Sequence, residues 1–324
     1  MLSKNFILAF LLLIIGIKMN GQRTESVLNF DFNTNHLYFE IENDVFLFSD
    51  HYYTGGLAIF YTNRKLKNTP AQFILRSKNL KVNYFSGFGI EQRLFTPFSI
   101  SDPAEAKQDR PYSAYIMITN FSVLVNTKNK LKISNEIGLG ILGPGAKGME
   151  FQTYIHELTN SVAPVGWENQ INNTPILDYQ FRIEKGLFKS NVSDFIIPFS
   201  EVRIGTYKDE ISLGLLLRLG NSNKMLVYKN AFVDIHKRLV WDFIMEAKFK
   251  TVFYDCTLHN GFSGEDNVYN LNYQDIDRFL YYFRTGLNLY YKGFYLRYMV
   301  YLNSPDFLNG RYHRYSGIYF GFSF

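Results

Sequence analysis

The chain has 324 residues and is rich in aromatics, with 31 Phe, 24 Tyr and 18% aromatic content overall, yet it carries a single Cys. A formal charge of +5 suits a protein close to anionic lipid and, with no Lys/Arg cluster, gives no sign of nucleic-acid binding. One Cys excludes an intramolecular disulfide, so packing or a closed hydrogen-bond network must hold the fold.

Residues 1–21 have the three-part shape of a secretory signal peptide: Lys4, an apolar run over 6–17, then Asn20, Gly21 and Gln22. The run falls short of the roughly 20 residues of a membrane-spanning helix, so cleavage near Gly21 is expected. No Cys lies there to carry a lipid anchor. No later apolar run reaches spanning length, which excludes a helical membrane protein. Residues 22–324 read as one domain.

Alternation with period two dominates that domain. Over 177–184, Leu177, Tyr179, Phe181 and Ile183 alternate with Asp178, Gln180, Arg182 and Glu184. Over 211–219, Ile211, Leu213, Leu215, Leu217 and Leu219 share one side. Phe279, Tyr281, Phe283, Leu287 and Leu289 share another, and the chain closes on Ile318, Phe320, Phe322 and Phe324. A soluble sandwich also alternates, but here long strands set apolar residues against charges and glycines, as lipid outside and a polar lumen require. Every backbone group in a bilayer must be paired, so such a sheet has to close. The sequence therefore predicts an all-β fold: a transmembrane antiparallel up-and-down β-barrel of about twelve strands in a Gram-negative outer membrane.

The strands are expected to begin near Leu37, Tyr53, Lys81, Tyr112, Leu131, Ile176, Phe195, Ile211, Arg238, Phe279, Phe294 and His313. With both termini in the periplasm, the tight turns 126–130, 189–194 and 291–293 fall on the periplasmic side. The long connections 142–175 and 256–278 fall outside, the usual asymmetry. Two connections fit less well: 64–80 is long for a periplasmic turn and 207–210 short for an outer loop. Cys256 reads as a small half-buried residue.

One polar group exceeds what lipid or lumen requires. The first strand ends Glu42-Asn43-Asp44, the second opens Tyr53-Thr54-Gly55-Gly56, and Asp109-Arg110-Pro111-Tyr112 precedes the fourth. The strand count places all of these at the outer end. In the loop after the fifth strand, Gly143-Pro144-Gly145 breaks the strand and 149–158 reads as a short extracellular helix. It sets Gln152 and His156 on one face and is ended by Pro164 and Gly166. A helix over the barrel mouth would bring His156 to the first-strand carboxylate. Ester hydrolysis wants such parts: a His to deprotonate water, a hard cation such as calcium on oxygens of Asp44, Thr54 and nearby carbonyls, and an amide such as Asn43 or Gln152 for the developing charge. Singly each has a plainer reading, as a solvated histidine, a strand-end turn, glycines giving room for a hairpin, or an Asp109–Arg110 loop ion pair.

Taken in order, the blocks Glu42-Asn43-Asp44, Tyr53-Thr54-Gly55-Gly56-Leu57, Asp109-Arg110-Pro111-Tyr112-Ser113-Ala114, Gly143-Pro144-Gly145, Gln152 to His156 and Gly166-Trp167-Glu168-Asn169-Gln170 resemble the lipid A 3′-O-deacylases of bacterial outer membranes. They cover the first half of the mature chain; the second half matches as barrel strands. The resemblance implies a twelve-stranded barrel with its site between the wall and a loop helix, and calcium-dependent removal of the 3′-linked acyl chain of lipid A. It implies His156 as base, Asn43, Asp44 and Thr54 for oxyanion and cation, and Gln152 as supporting amide. Lipid A and outer-membrane lipids are then the partners, with no nucleic acid, and a monomer is expected. Where a comparable family member carries a Glu some six residues after the His, this chain has Val162, with Ser161 beside it, leaving Glu157 and Glu168 as candidates to orient His156. Two other functions compete: a passive barrel, porin or structural, and a serine-dependent phospholipase built on His259 and Ser263.

Overall fold

The computed structural model describes residues 35–44, 47, 51–63, 65–75, 83–102, 109–126, 129–187, 196–220, 239–259 and 271–324. The signal segment, the turn 189–194 and Ser263 lie outside them. Twelve strands close into one antiparallel barrel in which each pairs with its chain neighbours and the last with the first. They are β1 (His36–Asn43), β2 (Tyr52–Thr62), β3 (Asn83–Thr96), β4 (Ser113–Asn126), β5 (Leu131–Leu142), β6 (Thr174–Lys185), β7 (Ile196–Gly205), β8 (Lys208–Gly220), β9 (Val240–Asp255), β10 (Phe279–Tyr291), β11 (Phe294–Asn303) and β12 (His313–Ser323). The expected starts fall within three residues of these. The largest difference is β8, which begins at Lys208 because Lys208 still pairs with Asp255 in the wall. The odd short loop is therefore a two-residue turn, tied down where the Thr206 hydroxyl donates to the Pro175 carbonyl.

Alternation sorts each strand between lipid and lumen. Ile211, Leu213 and Leu215 are exposed outward, while Ser212 and Arg218 are buried inward. No helix among the described residues is long and apolar enough to cross a membrane; the strands do so.

Ion pairs and tyrosines line the lumen. Arg182 pairs with Glu184, Glu201 and Glu246, Arg93 with Glu40, Glu42 and Glu91, and Arg218 with Asp242. Tyrosines including Tyr53, Tyr115, Tyr301 and Tyr315 pack above them. Gly56 lies within β2, not in a hairpin: a Cβ there would strike the Arg93 guanidinium and the Tyr53 hydroxyl, so the glycine makes room for the ion pairs. Arg110 crosses the outer mouth, donating to Asp306 at 2.7 Å and to the Thr257 hydroxyl at 2.6 Å. It does not pair with Asp109, whose carboxylate accepts from the Phe98 amide. Cys256 is fully buried under this closure.

Two helices lie on the outside of the wall. The first, α1 (Pro70–Leu75), accounts for the long periplasmic connection. The Asn120 side chain accepts from the Ala71 amide and Asn135 donates to the Ala71 carbonyl. Asn120 follows lumen-facing Thr119 and Asn135 precedes lumen-facing Glu136, so both point outward, and α1 shields them from lipid. The second, α2 (Gly148–Thr159), packs on β4 near the outer end.

Candidate active site

The strand-borne half of the site starts at the end of β1. Glu42 lines the lumen, so its neighbour Asn43 points outward. Register puts Asn43 opposite Gly55, Gly55 opposite Leu94 and Leu94 opposite Ala114. These residues form one outward row across four strands. The Asn43 amide nitrogen lies 3.3 Å from where a Gly55 Cβ would stand, so Gly55 leaves space beside that amide. Between Tyr53 and Gly55 the β2–β3 register slips by one residue, and that extra residue is Thr54. Such a bulge re-aims a side chain, and bulges recur beside functional sites. Asp44, fully buried, accepts from the His51 amide at 2.6 Å.

The helix-borne half is α2. Gly143, at φ 103°, turns the chain off β5 where any Cβ would strike the backbone of Asn172 and Asn173. Gly148 then lets the helix close on the wall: a Cβ there would sit 2.4 Å from the Ala114 Cβ and 2.8 Å from the Trp167 ring. Ala114 is outward, since Tyr115 after it lines the lumen. The helix therefore lies against the outside of the wall and not over the mouth. Small residues at both contact points fix that seat. Lys147 caps the first turn, and its ammonium, 2.8 Å from Glu150, holds that carboxyl below the usual range.

The helix runs one residue beyond the expected 149–158 at each end and is capped by Asn160, in the left-handed region. Its amide and that of Ser161 turn back to the His156 carbonyl. This reversal brings the Val162 carbonyl to 2.5 Å from His156 Nδ1. A carbonyl only accepts, so Nδ1 carries the proton and Nε2 presents its lone pair in the neutral ring. Glu157 and Glu168 are exposed and do not orient His156. The group that holds the imidazole is the main-chain carbonyl of Val162.

Gln152, one turn earlier on the same face, accepts from the Trp167 indole at 2.7 Å. Both are buried, and the Trp167 ring lies 4.8 Å from that of Tyr112. Sequence reading placed Trp167 in a motif without giving it this part; no residue pattern announces an indole-to-amide bond.

Loop contacts join the two halves. His51, held by Asp44, packs its ring 5.0 Å from Phe98. Two residues on, the Ile100 carbonyl accepts from the Val165 amide, and the Tyr112 hydroxyl donates to the Val165 carbonyl. Asn43, Asp44, Thr54, Gln152 and His156 thus share one sector of the outer rim, with His156 linked to Asp44 through these loops and not by a direct bond. Two lumen cavities, of about 370 and 290 Å³, are lined by none of the five.

Among the described residues no three His, Cys, Asp or Glu side chains gather for a metal. Asp44, Thr54 and Asn43 offer a buried carboxylate, a hydroxyl and an amide, the oxygen donors that a hard cation prefers. Of the serine alternative, Ser263 lies outside the described residues, and His259 stacks between Tyr254 and Tyr273.

The fold is that of an outer-membrane barrel carrying a loop helix against the outside of its wall. The family model described as outer membrane protein LpxR matches residues 6–324, and the chain belongs to that family. No curated protein matches the sequence. Among solved structures, LpxR from Salmonella typhimurium is similar at 18% identity and TM-score 0.71, covering 89% of this chain and all of that one. The β domain of the Bordetella autotransporter BrkA is matched at 10% identity and TM-score 0.44, over 90% of this chain and 98% of that one.

Proposed function

We propose that this barrel hydrolyses the ester that joins an acyl chain to the 3′ position of lipid A in the outer leaflet. The family supports this reading, and one observation carries it: His156, its tautomer fixed by the Val162 carbonyl, offers Nε2 as a base on the lipid-facing wall. Nε2 takes a proton as water attacks the ester carbonyl. The new C–O bond forms, the bond to the sugar oxygen breaks, and the proton passes on to that leaving oxygen. Asn43, outward at the strand end, donates to the developing oxyanion, and Gln152 supports it from the helix. Asp44, Thr54 and Asn43 would hold calcium, which when bound supplies positive charge beside the carbonyl. A site facing lipid needs no access through the lumen, so one barrel works as a monomer.

The test is the mass of lipid A after incubation with the detergent-solubilised protein, with calcium or with chelator. Calcium-dependent loss of the 3′-linked acyl mass is expected. Unchanged mass with calcium present, across several lipid A species, contradicts the reading.

A further inference from the structure

Gln152 is held in an uncommon way. Its amide oxygen is occupied by the indole N–H of Trp167, while its amide nitrogen is buried and has no hydrogen-bond partner among the described residues. A buried donor left open is unfavourable in a resting protein unless something is meant to fill it. The bond to Trp167 also decides which way the amide faces. An indole only donates, so the oxygen must turn to it and the NH₂ group must turn away.

Trp167 itself has little freedom. It is about 1% exposed and sits in a 3-10 turn after Gly166, whose φ of 112° lets the chain run against the Tyr112 ring. Its ring is clamped between Tyr112 and the start of α2, where Gly148 leaves room for it. Tyr112 is fixed in turn, its hydroxyl donating to the Val165 carbonyl and its own carbonyl accepting from the Ile171 amide.

We infer that Trp167 is a positioning residue for the hydrolysis. It locks the Gln152 amide so that its N–H groups, one turn from His156, are kept for the substrate carbonyl oxygen as charge builds on it. The inference rests on the hydrolase reading above. Trp167 touches no reacting atom and acts only through Gln152. Its loss should lower the chemical step and not substrate binding, and it should have no further effect once Gln152 is gone.

The experiment measures kcat and KM for lipid A deacylation in Trp167→Phe, Gln152→Ala and the double variant, each checked as a folded barrel by heat-modifiable electrophoretic mobility. Phe keeps the ring against Tyr112 and removes the donor. Trp167→Phe should lower kcat about tenfold with KM within about twofold, and adding it to Gln152→Ala should change kcat by less than about twofold. Wild-type kcat in Trp167→Phe, or losses that multiply in the double variant, overturns the inference while the hydrolase reading stands. Should Trp167→Phe misfold, Gln152→Glu answers instead. It keeps an acceptor for the indole but has no N–H, so it should lose as much kcat as Gln152→Ala; full activity overturns the inference. A wild-type protein inactive on every lipid A species overturns the hydrolase reading and this inference together.

Discussion

The wall from β7 to β10 and the wall from β3 to β5 obey different rules on their outer faces. On the first, outward positions are large and apolar: Leu213 is 62% exposed and Phe249 70%. On the second, the outward positions under α1 and α2 include Ala114, Asn120, Ser122 and Asn135, all buried. Lipid covers one wall and protein covers the other. Where lipid is the solvent, a small or polar residue wastes the apolar face or costs energy. Where a helix is the neighbour, a small residue admits it and an amide can bond its backbone. A break in the outward apolar pattern therefore marks where the chain has returned to cover its own wall. On β3 and β4 that cover includes the helix bearing Gln152 and His156.

The comparison is broken most severely by removing the base. His156→Ala should cut lipid A deacylation by about 10³-fold while the barrel still folds, because the imidazole is held by a loop carbonyl and supports no strand. Activity within tenfold of wild type would remove His156 from its role.

A second pair of variants sets the two walls against each other. Gly148→Leu should push α2 off Ala114 and lower activity by roughly tenfold to a hundredfold, since small displacements of positioned groups are costly, with little change in the unfolding of the barrel. Leu213→Arg, on the bare wall, should do the reverse: a loss of about 2–4 kcal/mol in stability if the position lies near the membrane midplane, with activity per folded molecule unchanged. Equal effects of the two on activity would mean that the covered wall is not special.

The smallest expected effect is the sharpest check on the geometry. Val162→Ala should leave the rate within about twofold, because His156 is oriented by the carbonyl of that residue and its exposed side chain does no work. A large loss would show that the side chain matters after all.

The bare sector also explains what could be read in advance. Clean alternation gave the strand starts to within three residues, and the strand count put Asn43, Asp44, Thr54, Gln152 and His156 at the outer end. The side of the wall was harder. It follows from register, with Asn43 next to lumen-facing Glu42 and Ala114 next to Tyr115, and a helix over the mouth suited the pattern equally well until that register was known. The oddly long 64–80 connection was the one hint of α1, and its seat on Asn120 and Asn135 depends on residues more than forty positions away. The Val162 carbonyl leaves no trace in sequence, because any residue supplies one. Arg110 looked like half of an ion pair with its neighbour Asp109, whereas its partners Thr257 and Asp306 come from across the barrel.

The central claim is that substrate meets this protein on the outside of the wall beneath α2 and not in the lumen. The most direct test is photocrosslinking with a lipid A that carries a diazirine on its 3′-linked acyl chain, followed by mapping of the labelled peptides. Label on α2 and on the outward positions Ile90, Ile118 and Leu139, which register places in one exposed row, is the expected result. Label confined to lumen residues such as Tyr282, Tyr301 or Tyr315 would contradict it.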